Sequence, residues 1–358
     1  MYTTRELKVL LQSRGVVLPG EERGRKGGAG PAAGKSLIFG GTVANVPTQS
    51  DFVASSPFSV RSRDEGFWIY EHEAPLVPVT FPHTPHFYAK RTSDGTPMHK
   101  VALLHGASCL ASTVCQRCVY YGTPHACSFC GIELSLESGA TIEEKSPAQL
   151  AEVAVAAKEE HAVTHVTLTS GTQRGRDRGL GKLLAAAAAI KDASGLPVHV
   201  QTEPLPELSL FDELPGHGVD TLGIHIESVD DAVLAAHAPI KARLGFTRFL
   251  AAWEKGVEVL GANQVDSFII AGLGEDPDLT LRRLRQMIEA GAYPFIVPLR
   301  PIPGTRLGSW LPPEPDYVRS LLEMTVPMLS DAHLSWKRSK AGCLRCRACS
   351  ALPDFEQA

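Results

Sequence analysis

Val198-His199-Val200-Gln201-Thr202-Glu203 alternates apolar and polar side chains, and residues 221–227 repeat the pattern with Ile224 and Ile226 set against His225 and Glu227. A period of two is that of a β-strand with unlike faces. Helices packed outside a parallel sheet demand the apolar face, so His199, Gln201, Glu203, His225 and Glu227 point into a shared interior. A single residue of this kind is ordinarily a satisfied member of a buried hydrogen-bond network. Five of them from two strands argue for a ligand cavity.

Working outward, residues 110–114, 165–169, 265–270 and 295–299 read as further strands, making six with 198–202 and 221–226. Helices fall between them. Ser146 and Gln149 form a capping box ahead of 150–161, and Asp276-Pro277-Asp278 precedes a helix at 279–290. Other helical stretches are 179–193, 246–260 and 317–330. The chain is therefore expected to be α/β, with a partial (β/α)6 barrel of the TIM type over residues 100–310 and its ligand at the carboxyl ends of the strands. Residues 1–99 read as an N-terminal extension with a Gly-rich run at 24–34 and a Pro-rich run at 75–85. Residues 311–358 supply a C-terminal helix and a Cys-rich tail, expected near the barrel mouth.

At 358 residues and 44% apolar, the chain is long and apolar enough for a large core. Its 35 Lys+Arg against 39 Asp+Glu give no general electrostatic reason to bind nucleic acid or a membrane surface. The longest apolar run, 183–190, is far short of the roughly 20 residues a bilayer needs, and Arg5, Glu6 and Lys8 interrupt any signal-peptide core. A cytoplasmic location is expected.

Five of the eight cysteines lie between Cys109 and Cys130, and three between Cys343 and Cys349. In a reducing compartment such clusters read as thiolate ligands before they read as disulfides. Cys115-Gln-Arg-Cys118 and Cys127-Ser-Phe-Cys130 are two CxxC pairs that four-coordinate zinc could use. Three thiolates holding an iron–sulfur cluster, with one iron left open, suit the same loop. Spacing alone leaves both open.

The chain resembles the radical S-adenosylmethionine (SAM) superfamily over about residues 100–310. Cys127-Ser-Phe-Cys130 looks like the end of that superfamily's CxxxCxφC loop. His165-Val-Thr-Leu-Thr-Ser-Gly171, with Arg174 to Asp177, is similar to the lipoyl synthase segment after its second strand, where other members contact the SAM amino group. Ile270, Gly272 and Glu275 match the GxIxGxxE pattern, with Phe268 in place of its first Gly. His225-Ile-Glu227 resembles a biotin synthase segment that touches the SAM ribose, and Arg243 falls near that family's downstream Arg. The nearest resemblance, carried by Cys118, Cys127, Cys130, Ile132 and Ser135-Leu136, is to a bacterial radical SAM family encoded beside a nitrilase in cyanide-utilisation gene clusters.

The resemblance implies a [4Fe–4S] cluster held by Cys118, Cys127 and Cys130, with Cys115 competing for the first place because eight residues separate Cys118 from Cys127 where three are usual. It also implies SAM contacts from Thr169, Ser170, Gly171, Glu203, His225, Glu227, Arg243, Gly272 and Glu275. The activity implied is reductive cleavage of SAM and hydrogen abstraction from a small metabolite, nitrogen-containing if the nitrilase association holds. The electron would come from a reductant such as flavodoxin or ferredoxin. Cys343, Cys346 and Cys349 form CxxCxxC, suited to an auxiliary Fe–S cluster or a zinc ion, with Cys115 or Cys109 as fourth ligand. Three alternatives stand beside this: sulfur insertion using an auxiliary cluster, a zinc-stapled scaffold without catalysis, and an inactive barrel that uses its cluster only for electron transfer. A P-loop look-alike at residues 30–36 has Ala29 where Gly is required, and reads instead as a flexible loop that could fold over the barrel mouth.

Overall fold

A computed structural model describes residues 2–19, 34–64 and 66–357. The Gly-rich run and most of the P-loop look-alike lie outside the described residues. The expected N-terminal extension builds a helix, Thr4–Arg14, and two small antiparallel sheets. One is the hairpin β1 (Gly34–Phe39) and β2 (Thr42–Pro47); the other joins β3 (Phe58–Arg63), β4 (Gly66–Glu71) and β5 (Ala74–Val79). Pro75 and Pro78 are tolerated because β5 takes the end position in its sheet, where a missing N–H costs least. Leu7, Leu11, Leu37, Val46, Phe58 and Ile69 form a core of their own between these elements.

The remaining strands make one curled sheet of seven: β6 (Leu103–His105), β7 (Cys109–Thr113), β8 (His165–Thr169), β9 (Val198–Thr202), β10 (Val219–Ile224), β11 (Val265–Ala271) and β12 (Tyr293–Pro298). From β7 to β12 neighbours in the chain are neighbours in the sheet and run parallel, the arrangement of a partial (β/α)6 barrel. All six expected strands are present. The seventh, β6, pairs antiparallel with β7 and was not expected; three residues are too few to display a period.

Alternation does what the sequence implied. Val198, Val200, Ile224 and Ile226 are fully buried beneath the outer helices. Trp253, on the helix Phe246–Leu260, is buried there too, and its indole N–H donates to the Ile224 carbonyl at 2.9 Å, so the large ring carries no unpaired polar group inward. The capping box of Ser146 and Gln149 is formed in both directions at the helix Pro147–Glu159. Among the described residues no helix is long and apolar enough to cross a membrane.

Candidate active site

Strand β7 runs out into the cysteine loop, and backbone hydrogen bonds carry its pairing with β8 past both strand ends. Val114 N–H donates to the Thr169 carbonyl, Gly171 N–H to Cys115 and Val119 N–H to Thr172, at 2.8 to 2.9 Å. Gly171 is where the two segments touch. A Cβ there would lie 2.2 Å from the Arg117 carbonyl oxygen, so only glycine lets the chain after β8 reach the backbone beside Cys118. Below the loop, buried Gln116 donates to the Ile132 carbonyl and the Ser135 hydroxyl, and accepts from Lys145 at 3.1 Å. Ile132 and Ser135 thus fix the loop's base.

Cys118, Cys127 and Cys130 line one cavity of about 1070 Å³ inside the half barrel; Cys115 is not among its lining residues. Burial pushes the Cys127 thiol up to about 11 and the Cys130 thiol up to about 12. Glu203, Glu227 and Lys241 share the cavity wall with them. Lys241 Nζ donates to Glu227 Oε1 at 2.8 Å and to the His225 carbonyl at 2.6 Å. Burial works to lower the Lys241 ammonium, yet Glu227, Cys127 and Glu203 hold it above its ordinary value. Burial likewise raises Glu203, against the pull of Arg178 and Lys241. Glu227 has φ +73°, in the left-handed region, and is held there by backbone hydrogen bonds to Phe268 and Ile270 on β11. A strained non-glycine residue facing a cavity is the kind of cost that folds retain at working sites.

Thr169, Ser170, Gly171, Glu203, His225 and Glu227 all line this cavity. Three of the expected SAM contacts do not. Gly272 and Glu275 close the turn after β11, where the Glu275 carboxylate accepts the backbone N–H groups of Gly272 and Leu273 and the Tyr317 hydroxyl. Arg243 points instead toward His125, 3.5 Å from Nη2 to Nδ1. A cation that does line the cavity beside the cysteines is Lys241, two residues earlier on the short helix Pro239–Leu244, which has no period long enough to read. His199, expected to face the ligand, is fully buried under the C-terminal tail, against Gly342. Its Nδ1 meets the Thr221 hydroxyl at 2.8 Å, and its Nε2 has no hydrogen-bond partner among the described residues.

Residues 118–288 match the model of the Radical SAM superfamily. That stretch is similar to a radical SAM domain. The chain is similar in structure to methylornithine synthase (PylB), with 15% identity over 62% of this chain and 63% of that one at a TM-score of 0.45. A radical SAM methyltransferase from Sphaerobacter thermophilus matches with 12% identity over 76% and 75%, at 0.47. HydG, a maturase of the [FeFe]-hydrogenase, matches with 15% identity over 66% and 53%, at 0.50, which shows a shared fold. The chain thus spans less than two thirds of methylornithine synthase and about half of HydG. No curated protein matches the sequence.

The radical SAM domain implies a [4Fe–4S] cluster, and the donor set fits one. Cys118, Cys127 and Cys130 face a common cavity, all eight cysteines are free, and thiols as hard to ionise as Cys127 and Cys130 need a bound cation to become thiolates. Room for a SAM-sized ligand lies beside them.

The tail departs from expectation. Its CxxCxxC segment packs at the amino ends of the strands, not at the mouth: Gly342 lies on His199, and Cys346 on Cys109, the first residue of β7. Cys343, Cys346 and Cys349 line the floor of the same cavity. Cys346 is held well below its ordinary value by a hydrogen bond from Cys109 and by His105, whose imidazole the neighbouring sulfurs of Cys349 and Cys346 hold up to about 10 despite burial.

Proposed function

We propose that the protein cleaves SAM reductively at a [4Fe–4S] cluster held by Cys118, Cys127 and Cys130, and abstracts hydrogen from a small, nitrogen-containing metabolite bound in the lumen. The observation that carries this reading is the single cavity in which those three thiols adjoin Glu203, Glu227 and Lys241. When bound, the cluster would supply the electron that breaks the C5′–S bond of SAM. The chain's residues bind and orient. Lys241 offers its ammonium to the SAM carboxylate, Glu203 and Glu227 offer acceptors to its amino and ribose groups, and Thr169, Ser170 and Gly171 border its path. The tail closes the floor and so helps exclude water, which a reactive radical requires. The nitrogen in the substrate rests on the resemblance to the nitrilase-associated family. A reductant such as flavodoxin or ferredoxin would deliver the electron.

The tail cysteines are proposed to hold an auxiliary Fe–S cluster. Because they line the cavity that Cys127 lines, sulfur insertion is the second reading.

Removing the Lys241 ammonium tests the SAM contacts. Lys241→Met is expected to raise the Kd for SAM about tenfold, the loss of one charge-assisted contact of about 1.5 kcal/mol, with iron content unchanged. Equilibrium dialysis of the anaerobically reconstituted protein measures it. Unchanged affinity in both Lys241→Met and Glu227→Gln would place SAM elsewhere.

A further inference from the structure

The tail's three cysteines do not stand alone. Cys109, more than 200 residues earlier in the sequence, packs with Cys346 in one buried cluster at the amino end of β7. All four line the cavity floor. Polar groups face three of the sulfurs: Gln201 Nε2 donates to Cys343 Sγ at 3.3 Å, while His105 places Nδ1 3.2 Å from Cys346 Sγ and Nε2 3.5 Å from Cys349 Sγ. The fourth, Cys109 Sγ, is 3.3 Å from the Thr167 hydroxyl.

Cys115 cannot take this place. It lies two residues beyond the carboxyl end of β7 and Cys109 at its amino end, so at about 3.3 Å per residue the two are about 20 Å apart along the strand. Cys115 Sγ turns to the Arg117 carbonyl instead.

We propose that Cys109, Cys343, Cys346 and Cys349 together bind one iron–sulfur cluster on the floor of the lumen, with Gln201 and His105 donating hydrogen bonds to its thiolates. This rests on the reading of the tail as an auxiliary site and adds its fourth ligand and its position. Four thiolates complete the coordination of a [2Fe–2S] or [4Fe–4S] centre. The cluster would face the first site across the substrate cavity, at the opposite end of β7.

The test uses the full chain carrying Cys118→Ala, Cys127→Ala and Cys130→Ala, reconstituted anaerobically with iron and sulfide. Iron, acid-labile sulfide and visible absorption are then measured, and zinc alongside. One cluster per chain is expected to remain. Adding Cys109→Ser removes it to background, whereas adding Cys115→Ser leaves it in full; the metal-free Cys109→Ser protein melts with its metal-free parent, which excludes misfolding as the cause. Retention of the cluster in the Cys109→Ser chain, its loss in the Cys115→Ser chain, or stoichiometric zinc without sulfide would each overturn the proposal. A wild-type chain that carries this cluster but leaves SAM intact supports the floor site and overturns only the proposed reaction.

Discussion

Replacing Lys8 with methionine is expected to destabilise the protein by about 3 to 5 kcal/mol, the cost of leaving a buried ion pair with one member. Lys8 is 0% exposed in the first helix, yet its Nζ reaches Asp354 Oδ2 at 2.6 Å, the Arg347 carbonyl at 3.0 Å and the Thr42 hydroxyl at 3.3 Å. Asp354 also accepts from Thr42 at 2.6 Å. Nearby, Gln12 donates to the Ala348 carbonyl, which also accepts the Asn45 backbone N–H. The N-terminal extension therefore clamps the cysteine tail onto the barrel floor. The double substitution Lys8→Met with Asp354→Leu removes both charges and is expected to recover most of the loss, because apolar replacement of a buried pair is often neutral or stabilising. Denaturant unfolding of the two variants measures this. A loss under about 1 kcal/mol in Lys8→Met would mean that the pair does not hold the tail.

A smaller loss, about 1 kcal/mol between pH 6.5 and pH 5, is expected in mild acid without any substitution. Burial pulls the imidazole of His165 down to about 4 and that of His199 to about 3. Both are therefore neutral in the folded state while the unfolded chain takes up protons below about 6.5. A group whose folded pKa is depressed contributes stability above its unfolded value and loses it as the pH falls. At pH 5 each histidine costs about 2 kcal/mol, or about 4 together. Asp266 has the opposite sign. It lies 3.9 Å from His199 Nε2, too far for a hydrogen bond, and burial raises its carboxyl to about 8, so stability declines as the pH rises from about 4 toward 8. Taken together the three groups place maximum stability near pH 6.5; below it Asp266 regains about 2 kcal/mol by pH 5 and so offsets more than half of what the two histidines cost over the same interval. Thermal unfolding across pH 4.5 to 8 checks this, and His199→Gln should flatten the acid limb by one proton. A flat profile between pH 6.5 and 5 would contradict the burial of these two rings.

What was legible in the sequence was whatever a local period encodes. The strand 198–202 and the helix 246–260 appear with the bounds expected, because alternation and a long apolar face are written in consecutive residues. That Cys118, Cys127, Cys130 and Gly171 come together at one cavity was foreshadowed for the same reason, their spacing being a local feature. Lys241 was not, since its place in the cavity depends on a six-residue helix after β10 and on Glu227 in a left-handed turn. The CxxCxxC spacing announced a possible metal site but not where it docks. That is decided by contacts spanning more than 300 residues, Lys8 to Asp354 and Gln12 to Ala348. Glu275 shows the converse: a motif residue whose carboxylate is spent on the turn that follows its strand.

The thiols of Cys118, Cys127 and Cys130 are proposed to form the centre at which SAM is cleaved. Anaerobic incubation with SAM and dithionite, followed by quantification of 5′-deoxyadenosine in the wild type and in Cys127→Ala, tests this directly. 5′-Deoxyadenosine is expected from the wild type and only background from Cys127→Ala, with deuterium from the labelled substrate appearing in the wild-type product; equal amounts from both proteins would mean that SAM is not cleaved at these thiols.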